Sequence, residues 1–134
     1  TPMGWLLLGD RTAAEIGALY PERTFAPMTE QTPRNTGELM QRIAEAVAAG
    51  HAISHGVVEP GGSSIAAPVR DRDGRVVAAI DVSAPDSAFD MAQFHTRDVS
   101  EVVATAGRIS ARLGFVAAPP AVPVSGAQAR RRRR

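Results

Sequence analysis

The 134-residue chain contains no cysteine, which excludes disulfide frameworks, thiolate metal sites and cysteine nucleophiles together. It contains no lysine either: all fifteen basic side chains are arginine, and five of them form the terminal run Arg130 to Arg134. Apart from that run, ten arginines face fourteen Asp and Glu residues. A body with that excess of carboxylates is a poor partner for nucleic acid. No stretch approaches the ~18 apolar residues of a membrane span, and no basic-then-apolar opening suggests a secretion signal. The chain therefore reads as soluble and cytoplasmic. Aromatic residues supply only 4% of the sequence, yet 44% is hydrophobic and 22% charged, which is too apolar for a disordered protein. The length suits one domain with a real core and is short for two. Its first residue is Thr1 and not Met, which suggests a piece of something longer.

Leu6 to Leu8 form a short apolar stretch, and Thr12 with Glu15 three residues on has the spacing of a capping box, starting a helix that Pro21 stops. Prolines and threonines from Tyr20 to Arg34 read as a surface loop. Asn35 and Glu38 repeat the capping spacing, and Leu39, Ile43, Ala46 and Val47 follow at helical period until Gly50 supplies a C-cap. The period then changes to two. Ile53 to Val58, Ile65 to Val69 and Val76 to Ser83 are predicted strands, the last two joined by a hairpin turn at Asp73-Gly74. A final helix is predicted from near Thr96, with Val99, Val102, Val103, Ala106, Ile109 and Leu113 on one stripe, ended by Gly114. Beyond it, residues 116–134 are expected to form a disordered tail rich in Ala, Pro and Arg.

Alternation gives each strand one face of small or polar residues: Ser54 and Gly56 on the first, Ser64, Ala66 and Pro68 on the second, Val77, Ala79, Asp81 and Ser83 on the third. Small residues leave room, and hydroxyls or carboxylates direct hydrogen bonds, so this face is either a pocket for a small polar ligand or the solvent side of a half-exposed sheet. Other chemistries find less support. His51 and His55 are four apart on one strand face but lack a third metal ligand. Ser64, Asp81 and His95 could be imagined as a hydrolytic triad, but no strained glycine elbow surrounds the serine. Gly61-Gly62-Ser63-Ser64 leads into a strand and not a helix, so it reads as a turn and not a phosphate loop. No catalytic residue, metal ligand or cofactor site is predicted.

The stretch GHAISHGVVEPGGSSIAAPVRDRDGRVVAAIDVSAP, Gly50 to Pro85, resembles the effector-binding domain of IclR-family transcriptional regulators. Gly50, Ser54, Ser64, Ile65, Ala66, Asp71 and Gly74 stand in register with that family's pattern, as does the AAIDVSAP strand. The opening TPMGWLLLG is similar to a family helix, and ISARLG to its closing one. Departures are Val57 in place of a usual glutamate, with Glu59 two residues on, Trp5 where a basic residue is common, Asp81 where a serine is usual, and Ala84 for a glycine.

The resemblance implies an α/β (α+β) domain over residues 1–115, an antiparallel sheet with flanking helices similar to the GAF fold and here partial, without the family's first strands or its winged helix-turn-helix. It implies the ligand-sensing portion of a regulator, a dimer or tetramer that meets operator DNA only through a domain absent from this chain. Carried over residue by residue, its effector pocket is Pro2, Met3, Ser54, Ser64, Asp81 and Ser83. A stand-alone small-molecule-binding or oligomerisation module is the alternative reading.

Overall fold

The computed structural model describes residues 1–22 and 24–117; apart from Val116 and Ala117, the expected tail lies outside the described residues. The elements run α1 (Pro2–Leu7), α2 (Ala13–Leu19), α3 (Thr36–Ala49), β1 (Ala52–His55), β2 (Gly62–Arg70), β3 (Val76–Pro85), α4 (Met91–Gln93) and α5 (Val99–Arg112). A π-helical turn, Phe94–Asp98, joins the last two helices.

Local chemistry sets the helix ends. Thr12 starts α2 with a full capping box: its hydroxyl accepts from the Glu15 N–H, and the Glu15 carboxylate accepts from the Thr12 N–H at 2.7 Å. The Thr12 N–H foremost, then the Thr12 hydroxyl and the Arg11 guanidinium, all donating to the carboxylate, hold the Glu15 carboxyl below its ordinary range. Asn35 accepts from the Glu38 N–H at 2.9 Å to start α3, and Gly50 ends it at φ 71°, in the left-handed region where a Cβ would be strained.

The three strands pair antiparallel in the order β1-β2-β3. Between β2 and β3 the chain turns through Asp71 to Arg75: the Gly74 N–H donates to the Asp71 carbonyl and the Asp71 N–H to the Arg75 carbonyl, both at 3.0 Å, with Gly74 at φ 81°. This hairpin comes with a register shift at Val69/Arg70. Ile65, Ala67 and Val69 point to one face of the sheet, where Phe94, Val99, Val102 and Ala106 cover them. On the other face Trp5 and Leu6 of α1 and Leu39, Ile43 and Ala46 of α3 pack over Ala52 and Ala66. Ala66 and Ala67, back to back on the central strand, have no exposed surface; their short side chains let a helix approach from either side.

Three expectations need correction. β1 stops at His55 and does not reach Val58, because Gly56 turns to φ 62° and the loop before α3 captures the next carbonyls. Thr29 Oγ1 donates to Gly56 O, and Thr32 Oγ1 to Val57 O at 2.7 Å. After a 3-10 turn at Asp86–Ala88, α-helical structure begins at Met91 and not near Thr96, with Asp90 capping Ala92 at 3.1 Å. On α5 the buried line is Val99, Val102, Ala106 and Ser110, while Val103, Ile109 and Leu113 are exposed. A three-stranded sheet covers only a narrow strip of helix, so the flanks of the apolar stripe stay in water.

Ser110 lies in that strip for a reason alternation does not show. Arg70 lies beyond the end of β1, whose pairing with β2 stops at Ala52 and Ala66, so Ser110 Oγ accepts the Arg70 N–H at 2.9 Å while donating to the Ala106 carbonyl at 2.8 Å. Ser110→Ala should therefore cost roughly 1–3 kcal/mol by orphaning a buried donor. Ser100→Ala, which removes a similar bond to the Thr96 carbonyl at an exposed position, should change stability by less than about 0.5 kcal/mol in chemical denaturation.

Candidate functional site

Register decides which side chains meet on the face beneath α1. Ser54 pairs with Ser64, and Ser64 with Ser83, so three serines form one row across all three strands. The next row on the same face is Ala52, Ala66 and Asp81. The Asp86 N–H donates to the Gly61 carbonyl at 2.8 Å; counting along the ladder from there, Ser64 and Ser83 form a non-hydrogen-bonded pair, the kind whose side chains approach most closely. Their hydroxyls lie 2.9 Å apart.

Above this row is a cavity of about 140 Å³, lined by Pro2 and Met3 at the start of α1, by Ser54, Ser64, Asp81 and Ser83 of the sheet, and by Val58, Glu59 and Gly62 of the β1–β2 loop. All six residues singled out in the sequence come together here. Ser54 is 7% exposed, and among the described residues its hydroxyl, unlike those of Ser64 and Ser83, makes no hydrogen bond. Asp81 and Ser83 are exposed, at the mouth. The face is therefore not a bare solvent side: α1 lies across it and a recess remains where the serines are. Glu59 and Val58 were not predicted as lining residues. The signal for them was the loop itself, whose Gly56 and Gly61 take positive φ of 62° and 72° and fold it back over the sheet.

The family model for the C-terminal domain of the bacterial transcriptional regulator IclR matches residues 1–111. The chain belongs to the IclR family. Among solved structures, the repressor BlcR of Agobacterium tumefaciens superposes with a TM-score of 0.76 at 26% identity, over 87% of this chain and 46% of BlcR. The C-terminal domain of the E. coli transcriptional regulator KdgR gives 0.72 at 28%, over 86% of this chain and 70% of that domain. This chain thus spans less than half the length of BlcR. No curated protein matches it.

Within the IclR domain, the departures from the family pattern now have places. Val57, where glutamate is usual, is buried in the core beneath α1 and α3, whereas Glu59 reaches the cavity wall. Trp5 is buried in the same core, with the Arg42 guanidinium 6.0 Å from its ring centre.

The imagined triad of Ser64, Asp81 and His95 does not assemble: Ser64 bonds Ser83, and the His95 ring lies 5.5 Å from His55. The two suggested metal histidines also part, since His51 precedes β1 and turns its Nδ1 to the Ala49 carbonyl at 3.0 Å. Among the described residues no group of three or more His, Asp or Glu could hold a metal ion.

Sequence reading missed a different constellation, His55–Ser63–Asp86. Ser63, 1% exposed, contacts Asp86 Oδ1 and lies 2.7 Å from His55 Nδ1. A carboxylate only accepts, so the Ser63 hydroxyl donates to Asp86 and must accept from the His55 Nδ1–H. Its proton is committed to the carboxylate and not to an imidazole base, the reverse of what an activated nucleophile needs. The trio ties the end of β1 to the start of β2 and to the residue following β3. Ser63→Ala should destabilise the domain by roughly 1–3 kcal/mol, while Ser83→Ala, at the exposed mouth, should leave the melting temperature nearly unchanged.

Proposed function

We propose that this chain is the ligand-sensing portion of an IclR-family regulator, that the cavity under α1 is its effector site, and that effector binding controls a separate DNA-binding domain. The carrying observation is the convergence of Pro2, Met3, Ser54, Ser64, Asp81 and Ser83 on one cavity, into which the Ser54 hydroxyl opens without a hydrogen bond to any described residue. A polar ligand can take the place of water on that hydroxyl. Ser64 and Ser83 extend the same row of donors and acceptors toward the mouth, and Pro2 and Met3 close the recess from above.

Mechanism follows from linkage. A ligand that favours one arrangement of subunits over another shifts their equilibrium by its difference in affinity, and attached DNA-binding domains then fit their half-sites better or worse. No covalent step is required. The protein acts as a homo-oligomer in the cytoplasm, where operator DNA lies. Among the described residues no helix is long and apolar enough to cross a membrane.

Two outcomes test this reading. In a thermal-shift screen of small polar metabolites, a binder at a hundred times its dissociation constant should stabilise the chain by about 2.7 kcal/mol, and Ser64→Met, which fills the cavity, should abolish the shift. A shift that survives Ser64→Met would place the ligand elsewhere. On DNA, the chain alone should give no sequence-specific footprint, and any weak retention should disappear as salt rises and on deletion of the Arg130 to Arg134 run. A footprint that withstands both would contradict control through a separate domain.

A further inference from the structure

The arginines ahead of the terminal run are not spread evenly. Three of those ten, Arg70, Arg72 and Arg75, stand in or beside the turn between β2 and β3, and Arg108 and Arg112 lie one turn apart near the end of α5. The fold brings both groups to one end of the domain. Ser110 Oγ accepts the Arg70 N–H at 2.9 Å, Gly114 sits against Arg72, and the Phe115 ring sits against Gly74. Among the described residues none of the five is in an ion pair, although Arg11, Arg42 and Arg97 each are.

Few carboxylates oppose them. Asp71 turns Oδ1 onto the N–H groups of Asp73 and Arg75, at 2.9 and 3.0 Å, Asp10 accepts from the Val76 N–H at 3.2 Å, and Glu101 lies about two turns back on α5, which leaves Asp73 as the exposed carboxylate of the turn. Arg72, Arg75, Arg108 and Arg112 are exposed as well, while Arg70 is held to the Gly74 carbonyl at 2.8 Å. From this same end the sequence continues past Ala117 to Arg130–Arg134 without an Asp or Glu. Twelve residues lie between Ala117 and Arg130, a tether of at most about 45 Å. The run and the four exposed arginines can therefore meet one polyanion together, each raising the local concentration of the other's target.

We infer that this end of the domain, with the arginine run that follows it, holds the phosphate backbone of duplex DNA without reading its sequence. Guanidinium forks match phosphate oxygens bidentately, and every basic group here is an arginine. The body's excess of carboxylates lies mostly elsewhere, so the surface that meets the DNA is positive although the body as a whole is not. The choice of DNA among polyanions rests on the regulator reading above, which brings the protein to an operator; the effector cavity has no part in it. Such a contact adds affinity for DNA beside an operator and leaves discrimination to the separate DNA-binding domain.

Fluorescence anisotropy of the full chain with two short labelled duplexes of unrelated sequence, titrated between about 50 and 200 mM salt, tests this. Both duplexes should bind equally, and the slope of log K on log salt should be steeper than about −4.5, the value for the five arginines of the run alone. Arg108→Gln with Arg112→Gln, a change at exposed positions, should make the slope shallower by about two units and weaken binding severalfold. Arg34→Gln with Arg42→Gln, the same loss of charge beside α3 on the other side of the sheet, should leave the slope unchanged. No binding at about 50 μM chain in the lowest salt, a slope that the α5 pair leaves unchanged, or retention on phosphatidylserine vesicles without retention on DNA would each overturn the inference, and the effector-site reading would stand in all three. Preference for one duplex would also overturn it, and with it the reading that a separate domain reads the sequence.

Discussion

The register of the central strand is the constraint on which the rest depends. β2 shares every pairing in the sheet, and side chains alternate between faces with a period of two, so a slip of one residue would send Ser64 into the layer under α5 and Ile65 into the cavity. Two devices fix it. At one end the Asp71 to Arg75 turn, with Gly74 in the left-handed region, sets how β2 meets β3. At the other, Ser63 joins His55 and Asp86, locking all three strands at the level of the serine row. Ser110 caps the Arg70 N–H, which lies beyond the end of β1.

Given that register, small side chains determine what each face can do. Under α5 the sheet offers Ile65, Ala67 and Val69, and Phe94, Val99, Val102 and Ala106 pack against them as a buried apolar cluster. On the other face α1 and α3 make close contact where Ala52 and Ala66 lie and leave a recess where the serines do. The same row that provides hydroxyls therefore provides the volume. Pro68 is tolerated inside the central strand because it pairs with Ala79 in a non-hydrogen-bonded position while β1 ends short of it, so no ladder bond is lost.

Much of this was legible in the sequence because local rules and tertiary packing agree. The capping box at Thr12, the Asn35 cap, Gly50, the Asp-Gly turn and the alternating runs each name an element through backbone chemistry that does not depend on what packs against it. The six lining residues were legible from strand alternation together with the family pattern. What escaped depends on contacts between distant segments. The early end of β1 follows from hydroxyls of Thr29 and Thr32, more than twenty residues upstream, taking its next carbonyls. The exposure of Val103, Ile109 and Leu113 follows from the sheet's narrowness, which helical periodicity does not encode. The place of Ser63 was hidden because its partners, His55 and Asp86, lie on different segments and neither forms a spaced motif with it. Glu59 was noticed only as a departure, and its position at the cavity wall needed the fold of the loop.

Because the native chain has no cysteine, the register can be measured without interference. In the double variant Ser64→Cys with Ser83→Cys, the two sulfurs should lie in the closest kind of antiparallel pair, and mild oxidation should give a complete intramolecular disulfide without loss of the cooperative melt. Ser64→Cys with Val82→Cys, one residue out of register and on opposite faces, should remain reduced under the same conditions. If the second pair closes and the first does not, β3 is displaced by one residue, the serine row does not exist, and the cavity described here is not the protein's binding site.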